Sequence, residues 1–191
     1  MKASSNDPRP LDTDGEKLIA DLAARARNLY LTRQMLCTEA VLTVLNQGLK
    51  GGLDEGQTMA MAAPFCVALG ESGCLCGALS GAVMGTGLLL GRSNPYRHRR
   101  ATRDSARRLH DAFKKANGAT CCRVLTRHVR HDSDAHFRHC ADLTAQATEL
   151  AARLILEERP ELAGRANSGF VNRRDSVIGG CFRRLMHLLR G

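Results

Sequence analysis

Apolar residues return every three or four positions through most of this chain and almost never alternate. Leu18, Ile19, Leu22 and Ala23 share one helical face, and Leu36, Ala40, Val41 and Val44 continue the spacing. Residues 15–49 therefore read as helix with a break near Leu29–Thr32. The segment NQGLKGGLDEG stops that helix with glycines. A short helix is expected from about Glu55, interrupted at Pro64, which cannot donate a backbone hydrogen bond. Residues 74–91, CLCGALSGAVMGTGLLLG, form a glycine-rich apolar helix. After the turn in RSNPYRHRR a charged helix runs to about Lys115, and NGATCCRVLT carries an adjacent cysteine pair into one helical turn. From Asp134 to Glu158, Phe137, Cys140, Leu143, Ala147, Leu150, Ala151 and Leu154 keep helical spacing, with Asp134 as the expected cap. Beyond Pro160, PELAGRANSGFVNRRDSVIGG reads as loosely ordered and CFRRLMHLLRG as a short basic amphipathic helix.

These periods predict an all-α protein, a compact bundle of about five or six helices around the glycine-rich one. A disordered lead-in over 1–14, a helical cysteine-containing domain over 15–158 and a basic C-terminal extension over 159–191 are the expected divisions. The glycine-rich segment admits two readings. Residues 72–91 carry no charge, which is about the length of a bilayer span. Gly77, Gly81 and Gly85 make two overlapping G-x-x-x-G patterns, as close-packed membrane helices do. The same stretch holds six Gly, two Ser and one Thr, so it is poorly apolar for a span. A buried helix gripped by its neighbours is the expected outcome.

Composition narrows the core and raises the question of chemistry. Only 4% of the 191 residues are aromatic and none is Trp, so Leu, Ala, Val and Met must fill the interior. Lys and Arg number 28 against 19 Asp and Glu, giving a formal charge of +9. The leading MKASSNDPRPLDTDGEK has no apolar run of the kind a secretory signal needs, so a cytoplasmic location is expected. Eight cysteines stand at 37, 66, 74, 76, 121, 122, 140 and 181. In the cytosol thiols stay reduced, which disfavours a structural disulfide framework. Clustered cysteines there more often bind metal or do redox chemistry.

Four stretches then occur in a telling order: CTEAVL at 37–42, CGALSGAVMGTGLLLGR at 76–92, CRVL at 122–125 and HCADLTAQATELA at 139–151. Together they resemble the redox-active family named for its motif, C_GCAxxG_C_C. The resemblance covers roughly residues 15–158. It implies a helical fold and a redox or metal role, and it places the family's cysteines on Cys37, Cys76, Cys122 and Cys140. Here the order is Cys76-Gly77-Ala78, so Cys74 is a second candidate for the central thiol. Cys66, Cys121 and Cys181 are additional to the pattern.

Several chemistries fit these residues. The catalytic candidates are Cys76, Cys74, Cys122, Cys37 and Cys140. In a dithiol mechanism a thiolate, assigned to Cys76 at a helix entrance, attacks a disulfide and a second thiol resolves the intermediate. Arg123 would favour a thiolate at its neighbour Cys122, and a strained Cys121–Cys122 disulfide could act as a switch. In the alternative, Cys37, Cys76, Cys122 and Cys140 hold zinc or an iron–sulfur cluster. His128, His131, His136 and His139 crowd one polar stretch, with His136 and Cys140 at i and i+4, although a solvated surface explains them better. Glu39 is a weak acid–base candidate. The basic run RHRRATRDSARR would suit a nucleic-acid-binding structural protein, but it holds no aromatic residue and is interleaved with Asp104. The leading expectation is a cytoplasmic thiol redox protein, possible thiol–disulfide oxidoreductase chemistry included, whose cofactor is unknown. Its partner would be a redox protein or small thiol, with homo-oligomerisation open.

Overall fold

Asp12 starts the first helix: its carboxylate accepts the Gly15 N–H at 2.8 Å, supplying one of the bonds a helix start lacks. The computed structural model describes residues 11–91, 95–180 and 186. Helix α1 (Thr13–Leu31) ends in the expected break, and α2 (Cys37–Gly48) begins after five intervening residues. Then follow α3 (Glu55–Ala62), a 3-10 turn over Ala63–Phe65, the short turn α4 (Cys66–Glu71), α5 (Gly77–Leu90), α6 (Pro95–Asn117), α7 (Cys122–Leu125), α8 (Ser133–Glu158) and α9 (Ser168–Val171). No strand occurs among the described residues. The all-α expectation of about five or six helices holds, the single turn expected at CRVL is α7, and the short pieces α4 and α9 are additional. Asp132, rather than Asp134, caps α8, accepting the N–H groups of Asp134 and Ala135.

Helices α1, α2, α5 and α8 enclose the core. Ile19, Leu22, Ala26 and Leu29 from α1 meet Ala147, Ala151 and Ile155 from α8, and Val41, Val44 and Leu45 from α2 meet Ala78, Leu79 and Ala82 from α5. Among the described residues no methionine is fully buried, though half-buried Met35 packs against the core, so Leu, Ala, Val and Ile do most of the filling that was expected to include Met. Helix α6 buries Leu109 and Phe113, sets Ser105 against Glu158 of α8, and leaves its basic face to solvent. Arg108 there pairs with Glu157 and Glu158 of α8 at 3.2 and 3.0 Å.

The contact between α2 and α5 is set by glycine. A methyl group placed on Gly77 would lie 2.5 Å from the Cys37 sulfur, and one on Gly81 would lie 2.7 Å from the Thr38 carbonyl oxygen. One on Gly85 would strike the Leu45 side chain. The i, i+4, i+8 row of bare backbone thus receives Cys37–Thr38, Val41 and Leu45, which share the same spacing on α2. The glycine-rich stretch is the buried helix expected. Among the described residues, no helix is long and apolar enough to cross a membrane.

The stretch 159–180 differs from its loosely ordered expectation because it has its own anchors. Leu162 and Val171 are buried in the core. Asp175 receives the guanidinium of Arg25 at 3.0 Å, with both side chains almost wholly enclosed, and the Gln34 amide at 3.1 Å. Asn28 closes the joint, accepting the Asp175 N–H and donating to its carbonyl. The basic helix expected in CFRRLMHLLRG lies outside the described residues apart from Met186, as does most of the lead-in over 1–14.

Replacing Gly81 by Ala pushes a methyl group onto backbone that cannot retreat, and we expect a loss of about 1–3 kcal/mol by urea denaturation. Gly87→Ala on the same helix has open space around it and should gain about 0.4–1 kcal/mol. Equal effects at the two positions would contradict the packing described.

Candidate functional site

Four cysteines stand at the starts of four elements, and the α2–α5 contact gathers them. Cys37 opens α2, where the Glu39 carboxylate accepts the Leu36 N–H at 2.8 Å. Cys66 opens α4, which is not a right-handed helix: Val67, Ala68, Leu69 and Gly70 have φ between 51° and 58°. Three non-glycine residues in that region cost about 1–2 kcal/mol each. Ser72 braces the turn, its hydroxyl donating to the Ala68 carbonyl at 2.7 Å, and the Ala68 side chain is buried. The unusual turn aims the Val67 N–H at the Cys37 sulfur and brings Cys66 within hydrogen-bonding reach of Cys37.

Cys76 is the N-terminal cap residue of α5. Its N–H donates to the Thr120 carbonyl at 2.8 Å, and the Arg123 N–H donates to the Gly73 carbonyl at 3.1 Å. Between these bonds a disulfide joins Cys74 to Cys121, with Cα atoms 4.3 Å apart. The Arg123 guanidinium donates to the Ser72 carbonyl at 2.8 Å and lies against Gly73, whose φ of 92° suits glycine. This clamp sets Cys122, the first residue of α7, over the start of α5. There its sulfur reaches the Cys76 thiol and the Gly77 N–H.

Each pair joins unlike thiols. Cys76 is almost fully enclosed and donates to Cys122, and both effects push its pKa up. Cys122 is only half-buried, and that same hydrogen bond, helped by the Gly77 N–H, lowers its pKa to about 7. In the second pair, the neighbouring Cys66 thiol and the Val67 and Thr38 N–H groups lower the pKa of Cys37, while the Cys66 sulfur also donates to the Ala62 carbonyl at 3.7 Å. The adjacent Cys37 sulfur, burial and the Glu39 carboxylate raise that of Cys66. Free N–H groups at the starts of α2 and α5 thus face sulfur, where a helix start favours negative charge. Cys140 on α8 takes a hydrogen bond from the Tyr30 hydroxyl, but burial prevails and raises its pKa to about 11. Tyr30 stacks on Phe137 with ring centroids 5.0 Å apart. Together they floor a groove of about 380 Å³ that Arg33, Gln34, Met35, Leu36 and Glu39 complete.

The sequence candidates Cys37, Cys74, Cys76, Cys122 and Cys140 all lie in this region, but three expectations change. The favoured thiolate is Cys122 rather than Cys76, because Cys76 is enclosed and acts as the hydrogen-bond donor. Cys121 bonds to Cys74, so the vicinal Cys121–Cys122 disulfide is not formed, and the disulfide disfavoured by compartment is present. Arg123 is engaged by the 72–73 backbone and is absent from the groups that lower the Cys122 pKa. Cys66 was missed as a site residue. Its proximity depends on a left-handed turn that Val-Ala-Leu does not announce.

Among the described residues, no three or more His, Cys, Asp or Glu side chains are grouped as metal ligands would be. The proposed Cys37, Cys76, Cys122 and Cys140 set therefore receives no support as a zinc or cluster site. His139 instead bonds the Leu125 carbonyl at 3.1 Å, and its ring meets His128 edge-on. The run RHRRATRDSARR lies on the mostly exposed α6, where Arg107 bonds the interleaved Asp104 at 3.4 Å.

The family model described as "Putative redox-active protein (C_GCAxxG_C_C)" matches residues 35–154. The chain belongs to this family. The match runs from the residues before Cys37 to the late turns of α8, spanning both thiol pairs and Cys140. No curated protein and no solved structure matches the chain.

Only a thiolate is alkylated rapidly, so the rate at Cys122 should rise with pH through a midpoint near 7 and fall away below it. Cys76→Ala removes the proton donor and should move that midpoint up by about one unit or more, read by iodoacetamide labelling and peptide mass spectrometry. An unmoved midpoint would contradict the hydrogen bond.

Proposed function

We propose that this member of the redox-active family is a thiol–disulfide oxidoreductase in which Cys122 attacks and Cys76 resolves. The observation that supports this most is the pairing of a half-exposed, low-pKa thiol with an enclosed thiol that donates to it. A thiolate near its pKa at neutral pH is both populated and nucleophilic.

The reaction begins when the Cys122 thiolate attacks one sulfur of a substrate disulfide. A Cys122–substrate disulfide forms, the substrate S–S bond breaks, and one substrate thiolate leaves. Cys76 then attacks the Cys122 sulfur, giving up its proton to the second leaving sulfur. The products are a Cys76–Cys122 disulfide and two substrate thiol groups, so the protein loses the two electrons that the substrate gains. The reverse sequence oxidises a dithiol substrate. Gly77 and Leu79 N–H groups hold the two sulfurs at the helix start while charge passes between them. Low-molecular-weight thiols of the cytoplasm would re-reduce the protein between cycles, so that compartment suits the chemistry.

Reduced Cys76→Ser protein mixed with a protein disulfide such as insulin should accumulate a mixed disulfide at Cys122, seen as a slow-migrating, reductant-sensitive species. The Cys122→Ser variant should form none and lose insulin reduction by about a hundredfold or more, as expected on deleting a nucleophile. Undiminished reduction by Cys122→Ser would overturn the assignment.

A further inference from the structure

The groove lined by Leu36 and Glu39, which stand on either side of Cys37 in the chain, carries a charge pattern that the Cys122–Cys76 reaction does not use. Its floor is the stacked pair Tyr30 and Phe137. Arg33, held with φ at 55°, lays its guanidinium over the Phe137 ring 4.4 Å from the centroid. Stacking uses the flat face of that group, and among the described residues its N–H edge has no acceptor, so the edge can receive a carboxylate in the groove. Glu39 lines the same groove and uses Oε2 to hold the Leu36 N–H. A ligand ammonium can share that carboxylate. Leu36, nearly half exposed, supplies an apolar wall and directly precedes Cys37. At about 380 Å³ the groove has the capacity of a small-ligand site rather than a peptide channel.

We propose that this groove binds a low-molecular-weight disulfide bearing an α-amino-acid head group, its carboxylate on Arg33 and its ammonium on Glu39, and presents the S–S bond to the Cys37–Cys66 thiol pair. The assignment rests on the thiol–disulfide reading above and gives the second pair a substrate class. Cys37 attacks one ligand sulfur and displaces the first ligand thiolate, leaving a Cys37–ligand disulfide. Cys66 attacks the Cys37 sulfur, passes its proton to the second ligand sulfur, and closes a Cys37–Cys66 disulfide. The ligand disulfide gains the two electrons that the pair loses. Cystine and glutathione disulfide share this head group and are the two sources to separate. Glutathione disulfide must also fit its peptide arms along the groove.

The test follows Cys37–Cys66 disulfide formation in reduced full-length protein by quenched-flow alkylation and mass spectrometry. The oxidants are cystine, glutathione disulfide, cystamine, 3,3′-dithiodipropionate and hydroxyethyl disulfide. At least one zwitterionic disulfide should react about tenfold or more faster than the neutral, cation-only and anion-only compounds, after correction for leaving-thiol acidity, as loss of a charged hydrogen bond implies. Preference for cystine alone names free amino-acid disulfides, and preference for both names the head group. In Arg33→Asn, which tolerates the left-handed backbone, and in Glu39→Gln, which keeps the Leu36 bond, the ratio to hydroxyethyl disulfide should collapse toward about one. Equal corrected rates for all five compounds, or variants that keep the wild-type ratio, would overturn the groove assignment. Insulin reduction through Cys122 would persist in that case, whereas loss of exchange at both pairs would overturn the thiol–disulfide reading itself.

Discussion

Everything at the site depends on how closely α5 can approach α2. Gly77, Gly81 and Gly85 remove the Cβ layer from one face of α5, and Cys37–Thr38, Val41 and Leu45 fill the row. A methyl group there would meet the Cys37 sulfur, the Thr38 carbonyl or the Leu45 side chain. The contact is stabilising because small residues allow many dispersion contacts over a short distance. It is also directional, since the two helices start near one another with their unbonded N–H groups on the same side.

That coincidence of helix starts accounts for where the sulfurs sit. Sulfur is large, polarizable and weakly hydrated as a thiolate, so it can use backbone N–H groups that no side-chain cap satisfies. Neither Leu36 before α2 nor Cys76 before α5 supplies an oxygen cap. The sulfurs of Cys37, Cys66, Cys76 and Cys122 occupy those places instead. Within each pair the pKa of one thiol is lowered and that of the other raised. The Cys74–Cys121 link, with Arg123 across the 72–73 backbone, fixes the loop that carries Cys122 to the start of α5.

Much of this was legible in the sequence, because helical period and glycine spacing are local. The i, i+4, i+8 glycines could be read as a packing face, and the cysteine-centred motifs indicated which residues resemble a redox family. What failed depended on long-range or unusual backbone. Cys66 sits near Cys37 at the head of a left-handed turn with no glycine until position 70. Which of two thiols keeps its proton depends on enclosure, so Cys76 and Cys122 could not be ranked by order along the chain. Cys74 and Cys121 are 47 residues apart, and only the folded loops make them neighbours. Asp175 lies in the stretch that reads as loosely ordered, whereas its pairing with Arg25 ties that segment to α1.

The central claim is that the α2–α5 contact creates two thiol pairs of fixed partnership. The most direct measurement is a redox-buffer titration with differential alkylation, reading each of the cysteines and every disulfide-linked peptide by mass spectrometry. The account predicts that Cys37 is lost together with Cys66, and Cys76 together with Cys122, each as a two-electron couple and each found as the corresponding linked peptide. If Cys37 and Cys122 oxidise with one another while Cys66 and Cys76 stay alkylatable, the pairing is wrong, and the helix starts do not organise the chemistry.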